Sequence, residues 1–283
     1  HGLPFEDVNA FVEDAKGNLW LGTNGGGLIY FDRAKKIFSS YRHDPNNPHS
    51  LSNDVVVSLC LDHQNQLWIG TFLGGLNRFD GQKFTRYQHN PGHPGSLPGR
   101  SVWELFEDSR HQLWIGTLDG GLCRFDPIKN TFSSYHHPKQ RALYSTYVPT
   151  IFEDSKGNMW FGTSTGIDVL KEADGGMVHY EAEPDNPSSL ASNDIFGILE
   201  DANGRIWIGS RGGLSLWQAK SNTFVNFGEK QGLPDDAIIS MLEDESGRLW
   251  LATPNGLSCA TISSKKAGLK VSFTNYSEMD GLQ

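Results

Sequence analysis

Adjacent carboxylates are the most frequent pattern of potentially reactive side chains. A Glu-Asp pair precedes a turn and a tryptophan in five segments: Glu13-Asp14, Glu107-Asp108, Glu153-Asp154, Glu200-Asp201 and Glu243-Asp244. Two neighbouring carboxyl groups can serve as general acid and general base. A reaction needs one such pair, however, and Asp62 repeats the pattern a sixth time without the glutamate. We therefore predict that all six aspartates cap turns by accepting hydrogen bonds from nearby backbone N–H groups.

Histidine and cysteine are the other residues with metal or redox chemistry. His136-His137 is the only adjacent histidine pair, and no cysteine or carboxylate near it has the spacing of a zinc site. The turn at Asp14 lacks the alternating acidic ligands of a calcium loop. Cys60, Cys123 and Cys259 are too few and too scattered for a disulfide scaffold. We expect neither a metal site nor a cofactor.

The composition excludes two classes of protein. The chain has 283 residues and a formal net charge of -9, with no basic cluster that could neutralise the phosphates of a nucleic acid. It has no run of 18 apolar residues, so no membrane-spanning helix is expected. The first residues, His1-Gly2-Leu3-Pro4, show neither the basic nor the apolar part of a targeting signal.

A sixfold repeat organises the whole chain. Each unit carries the turn aspartate, a tryptophan six residues later, a glycine-rich corner and, in most units, a final aromatic pair. The six tryptophans are Trp20, Trp68, Trp114, Trp160, Trp207 and Trp250. Each unit is predicted to form four short strands, with its tryptophan as a core anchor between neighbouring units. Four-stranded units of this length are typical of a β-propeller blade; a β-sandwich is the alternative all-β fold.

We therefore predict one all-β domain, residues 1–283, that is a β-propeller of six four-stranded antiparallel blades. The predicted blade boundaries are approximately 2–46, 47–94, 95–140, 141–187, 188–231 and 232–280. Leu-Trp-Ile-Gly-Thr, Gly-Gly-Leu-x-Arg-Phe-Asp at Gly74–Asp80 and Gly120–Asp126, and the segment Tyr41–Asp54 resemble the two-component regulator propeller repeat. This resemblance covers essentially the whole chain.

The resemblance implies a place in the cell and in a larger protein. Members of that family form the extracytoplasmic sensor region of bacterial membrane receptors with histidine kinase or diguanylate cyclase outputs, so a periplasmic sensing domain is expected. Gly2-Leu3-Pro4 repeats the phase of Gly232-Leu233-Pro234, which predicts a segment of a longer receptor. Propellers of the family usually have seven blades; six could close alone, or a further segment could complete the ring.

In a propeller the first strand of each blade lines the axis, and the corners lie on the same face as the turns into the first strands. We call this the corner face. Ten residues before each tryptophan stands a column of small or polar residues in which Glu104 is the only charge. Trp103 interrupts the aliphatic residues beside it. The candidate ligand residues are Glu104, Trp103, Asp54, Arg100, Tyr147, Asn193, Asp194 and Asp236, with Asn24, Phe72, Asp119 and Arg211 on the corners.

This mixed set of carboxylates, arginines and aromatics suits a carbohydrate or another polar metabolite, and it suits a docking surface equally well. We expect a non-catalytic sensing domain with a small polar ligand and with self-association in the full receptor. Two alternatives remain: a propeller lyase or glycan-processing enzyme, and a dimerisation or docking scaffold without a ligand. A lyase would need a histidine on the rim of the axial channel, and the aligned rim columns contain none.

Overall fold

The computed structural model describes residues 2–135, 145–265 and 268–282, so the His136-His137 pair lies outside the described residues. Regular structure in these ranges is β-strand, with two short 3-10 helices at Glu229–Gln231 and Glu278–Asp280. No helix of the described ranges has the length and apolar character needed to cross a membrane. The chain forms two compact units, His1–Ile151 and Phe152–Gln283.

The first unit contains three complete four-stranded antiparallel sheets, which are blades 1 to 3. Within each sheet the strands pair in chain order. Their bounds are β1 Val8–Glu13, β2 Leu19–Thr23, β3 Leu28–Asp32, β4 Ile37–Tyr41, β5 Val56–Leu61, β6 Leu67–Thr71, β7 Gly75–Phe79, β8 Phe84–Tyr87, β9 Val102–Glu107, β10 Leu113–Thr117, β11 Leu122–Asp126 and β12 Thr131–Ser134.

Blades 4 to 6 continue the same topology, and the boundary between the units falls inside β13. The bounds are β13 Thr150–Glu153, β14 Met159–Thr163, β15 Gly166–Leu170, β16 Met177–Tyr180, β17 Ile195–Glu200, β18 Ile206–Ser210, β19 Gly213–Gln218, β20 Thr223–Phe227, β21 Ser240–Glu243, β22 Leu249–Thr253, β23 Gly256–Lys265 and β24 Gly268–Tyr276. The prediction of an all-β chain with six four-stranded antiparallel blades is therefore confirmed.

The turn between the first and second strands is built the same way in every blade. Its aspartate accepts hydrogen bonds through Oδ1 from the backbone N–H groups two and four residues later, at 2.8–3.1 Å. In blades 2 to 6 Oδ2 also accepts the indole N–H of the blade's tryptophan, at 2.7–2.9 Å. In blade 1 the Tyr30 hydroxyl donates to Asp14 instead, at 3.1 Å. One carboxylate thus fixes both the turn and the anchor of the core.

The glutamate of the Glu-Asp pair connects successive blades. Glu107 accepts the backbone N–H of His63 in the preceding turn at 2.6 Å. Glu200 accepts from Ser155 at 2.6 Å, and Glu243 accepts from Ala202 at 2.8 Å. In the recurrent Glu-Asp pair, the aspartate therefore holds its own turn and the glutamate binds the turn of the preceding blade.

Close approach of neighbouring blades explains the glycines in second strands such as β2 and β6, whereas blade 6 has Ala252 at this position. A Cβ on Gly70 would lie 2.7 Å from Val102 Cγ1 of the next blade, and one on Gly22 would contact Val56. Val56 and Val102 are fully buried as a result. In blade 1, which no blade precedes within its unit, the side chains of Val8 and Phe11 are 37% and 72% exposed.

A candidate ligand cavity in the first unit

Four of the residues proposed from the sequence line one cavity in the first unit. The cavity has a volume of ≈ 620 Å³ and is lined by Asn9, Asn24, Val55, Val57, Phe72, Trp103, Glu104 and Pro149. Asn24, Phe72, Trp103 and Glu104 are the four that the sequence analysis names. The cavity therefore draws residues from three blades and from the segment that leads into the fourth.

Irregularities in the first strands place the other residues of this cavity. The pairing of β1 with β2, of β5 with β6 and of β9 with β10 shifts register at Val8/Ala10, Val56/Ser58 and Gly116/Thr117. The extra residues are Asn9, Val57 and Trp103. A β-bulge of this kind leaves one residue out of the ladder and re-aims its side chain. All three line the cavity, as does Pro149.

Sequence reasoning missed Asn9, Val55, Val57 and Pro149, although a signal exists for three of them, Asn9, Val57 and Pro149. Each of them, like Trp103, stands eleven residues before the tryptophan of its blade. This repeat position is hard to recognise because its residue type differs in every blade. The position before it is aliphatic in all six blades, and the position after it is small or polar. Variable residues at a fixed position of a repeated scaffold are where specificity is usually located.

Glu104 is the ionisable residue of the cavity wall. It pairs with Gly116 on β10, and no hydrogen bond or ion pair to its carboxyl group is present within the described residues. Burial raises the pKa of Glu104 to about 8. At pH 7 this side chain is therefore mostly a neutral carboxylic acid, which can donate one hydrogen bond and accept another.

Aromatic and amide groups complete the wall. The rings of Trp103 and Tyr147 meet edge to face, with centroids 5.6 Å apart and an interplanar angle of 83°. The Asn9 side chain donates to Val56 O and the Asn24 side chain donates to Asp7 Oδ2, each at 2.9 Å. In both side chains the amide nitrogen makes the hydrogen bond, and this bond fixes the orientation of the amide group. The cavity combines an anchored indole, two oriented amides and a neutral acid.

The other predicted residues of the first unit hold its loops. Arg42 forms an ion pair of 2.9 Å with Asp54, which also accepts the His43 backbone N–H at 2.7 Å. Asp119 accepts the Arg100 backbone N–H at 3.0 Å, and its carboxylate lies 3.6 Å from Arg100 Nε. Neither pair is among the residues that line the cavity.

The predicted residues of the second unit do not line this cavity. Arg211 pairs with Asp194 at 2.8 Å, and its guanidinium carbon lies 5.4 Å from the centroid of the Phe196 ring. The Asn193 side chain accepts the Ala182 N–H at 2.6 Å, and Asp236 accepts the Glu229 N–H at 2.8 Å. Asp236 also lines a separate cavity of ≈ 640 Å³ beside β20 and the Glu229–Gln231 helix.

The sequence profile of the two component regulator propeller matches six segments: 2–25, 50–72, 96–119, 145–165, 189–212 and 232–255. The chain belongs to this family. Each matched segment runs through the first two strands of a blade, the part that holds the aspartate turn and the bulge. Among curated proteins, no sequence gives a significant match.

Solved structures extend the comparison. The extracellular domain of a protein described as the hybrid two component system BT3049 from B. thetaiotaomicron is 26% identical, with a TM-score of 0.77 over 98% of this chain. The corresponding domain of BT4673 from the same organism is 19% identical, with a TM-score of 0.56 over 96% of this chain. The chain spans 35% of the first of these extracellular domains and 43% of the second.

One enzyme shares the fold. Virginiamycin B lyase from Staphylococcus aureus is 14% identical, with a TM-score of 0.66 over 95% of this chain and 84% of its own. At this identity the likeness shows the fold alone, and the fold does not determine the function of a propeller.

Proposed function

We propose that this chain is the extracytoplasmic ligand-sensing domain of a membrane-bound bacterial signalling receptor. Two structural neighbours with propeller repeats are extracellular domains of two component systems, and they support this assignment. The observation that carries the proposal is the cavity around Glu104 and Trp103, because a sensor needs a concave site that a regular stack of repeats does not itself require.

The chemistry of the cavity favours a neutral, polar ligand such as an oligosaccharide or another polyhydroxylated metabolite. The indole of Trp103 offers a flat apolar surface, and the amide oxygens of Asn9 and Asn24 can accept hydrogen bonds from hydroxyl groups. The neutral carboxyl group of Glu104 can both donate and accept. Among the described residues no arginine or lysine lines the cavity, so an anionic ligand would lack a counter-charge from them.

A catalytic function has less support from the cavity. Within the part of the chain that the structure describes, Glu104 is the one lining residue capable of acid–base chemistry, with no histidine or second carboxylate beside it. Glycoside hydrolysis by the common mechanism needs two carboxyl groups. We therefore place ligand binding without turnover ahead of lyase or glycosidase activity.

A thermal-shift screen of oligosaccharides and polar metabolites tests the proposal. A ligand present at 100 times its dissociation constant should stabilise the fold by roughly 2.7 kcal/mol. The stabilisation should be lost in Trp103→Ala and strongly reduced in Glu104→Ala, whereas Glu104→Gln, which keeps a neutral donor and acceptor, should retain most of it.

Phe196→Ala is the matched control, because Phe196 is the bulge residue of blade 5 and stands at the repeat position of Trp103. It should keep the full thermal shift. A shift lost in Phe196→Ala and kept in Trp103→Ala would instead locate the site in the second unit. Chemical conversion of the ligand would overturn the non-catalytic assignment.

A further inference from the structure

Two histidines and a glutamate meet at the aspartate turns of blades 2 and 3, in the first unit. One nitrogen of each imidazole of His63 and His111 and one oxygen of Glu107 all lie within 4.8 Å of one another. The imidazole rings are stacked, with centroids 3.9 Å apart and an interplanar angle of 24°. His63 Nδ1 lies 2.6 Å from Glu107 Oε1. None of the three lines the Glu104 cavity.

The repeat itself provides a comparison for this cluster. The glutamate is common to five blades and has a structural target, the N–H group of the preceding turn. The two histidines, by contrast, differ from the residues at the same positions of the other turns. His63 occupies the position of Ala15, Ser109, Ser155, Ala202 and Glu245 in the other turns. The repeat therefore accounts for the glutamate and for neither histidine.

His111 departs most clearly from its repeat position. Four of the other turns have a glycine there, with φ between 72° and 80°, and blade 2 has Asn65. His111 adopts the same left-handed backbone with φ 62°, a conformation that side chains other than glycine adopt at a cost. Both departures converge on one point, and both introduce an imidazole.

We propose that His63, Glu107 and His111 bind a Zn²⁺ ion at this junction. Two imidazole nitrogens and one carboxylate oxygen are a ligand set that zinc accepts in open, three-ligand sites, with water as the fourth ligand. Glu107 can serve two partners, because Oε2 accepts the His63 backbone N–H at 2.6 Å while Oε1 faces the imidazole. Ligand atoms around zinc lie roughly 3.3 Å apart at tetrahedral angles. His63 Nδ1 and Glu107 Oε1 are 2.6 Å apart, so binding of the ion would require their distance to increase by less than about 1 Å.

The spacing of the ligands explains why the sequence gives no sign of such a site. Glu107 and His111 are only four residues apart, but His63 lies 44 residues before Glu107, so the sequence contains one short ligand pair and not the two by which zinc sites are identified. Only the stacking of one repeat on the next brings them together. The site would add a cross-link between blades 2 and 3.

Isothermal titration of ZnCl₂ into protein without an affinity tag tests the site, with CaCl₂ as the hard-cation control. We expect one Zn²⁺ per chain and no binding of Ca²⁺, since Ca²⁺ prefers oxygen ligands. CoCl₂ should give the visible absorption bands of four-coordinate Co²⁺. His63→Ser and His111→Asn should each weaken Zn²⁺ binding at least about 10-fold.

The variants are chosen so that folding does not confuse the result. Serine occurs at the position of His63 in two sister turns, and asparagine occurs at that of His111 in blade 2. His49→Ser, at an exposed loop histidine outside the cluster, is the control and should bind Zn²⁺ like the wild type. Absence of saturable one-to-one binding, or equal affinity in the two cluster variants and the wild type, would overturn the proposal.

Discussion

At the scale of single residues, the chain uses carboxyl groups in opposite electrostatic environments. The indole N–H of Trp250, with further donors from Arg248 and Ser246, lowers the pKa of Asp244 to about 2. Burial without a partner raises the pKa of Glu104 to about 8. The first carboxylate is a structural anion, and the second is a neutral acid at a cavity wall. The sequence alone distinguishes the two carboxyl groups, because an aspartate stands at the position of Asp244 in every repeat, whereas a glutamate stands at the position of Glu104 in one repeat.

The raised pKa of Glu104 predicts how stability depends on pH. The folded state holds the proton more tightly than the unfolded state, whose pKa is near 4.5. The resulting stabilisation is complete below pH 4.5 and is lost as the pH rises towards 8. Glu104→Gln should therefore gain stability relative to the wild type between pH 5 and pH 8, by at least about 1 kcal/mol, since one pKa unit corresponds to about 1.36 kcal/mol.

Urea unfolding at pH 5 and pH 8 measures this difference. Glu245→Gln, at an exposed turn carboxyl, should show the same pH dependence as the wild type. Parallel pH profiles for Glu104→Gln and the wild type would mean that Glu104 ionises normally in the folded protein.

The tryptophan anchors provide a second prediction at this scale. Trp114 is 2% exposed, donates its indole N–H to Asp108 at 2.8 Å and packs edge to face on Tyr135. Trp114→Ala should lower the free energy of unfolding by about 3–5 kcal/mol, as other large-to-small core substitutions do. Ile128→Ala in the same blade removes a side chain that is 94% exposed and should leave stability unchanged. Unchanged unfolding of Trp114→Ala would contradict the anchoring role.

At the scale of elements, the sequence predicts the four strands of each blade and their order because apolar runs, turn residues and glycine corners repeat six times. It does not reveal the bulge in the first strand. A bulge is a two-against-one pairing with the second strand, and neither strand has a residue type that requires it. Consequently Glu104 and Trp103 could be selected from the sequence by their residue types, whereas Asn9, Val57 and Pro149 could be found only by their shared repeat position.

The close packing of strands from neighbouring blades is testable at Gly70. A Cβ there would contact Ser58 Oγ and would lie 2.7 Å from Val102 Cγ1 and 3.1 Å from Val102 O. Gly70→Ala should therefore destabilise the protein by about 1–3 kcal/mol, the usual range for overpacking. The urea midpoint provides the measurement.

Gly92→Ala is the matched control for this substitution. The nearest atom to a Cβ on Gly92 is Asn90 Oδ1 at 3.4 Å, in an exposed loop, so this variant should unfold at the wild-type midpoint. A Gly70→Ala protein as stable as Gly92→Ala would show that blades 2 and 3 pack more loosely than described.

At the scale of the whole molecule, repetition and variation have separate roles. The repeated residues, namely the turn aspartates, the tryptophans and the strand glycines, build six blades of one design, and the family profile matches these parts. The variable residues at the bulges and corners build the cavity of the first unit. The whole chain spans about a third of the solved extracellular domain of BT3049.

The central claim is that the cavity around Glu104 and Trp103 binds a neutral polar ligand without converting it. Isothermal titration of the best compound from the thermal-shift screen into wild type, Trp103→Ala and Phe196→Ala tests this claim most directly, with product analysis of each mixture. The account predicts one bound ligand per chain, loss of binding in Trp103→Ala alone, and recovery of the ligand unchanged. Equal binding by all three proteins, or the appearance of product, would contradict it.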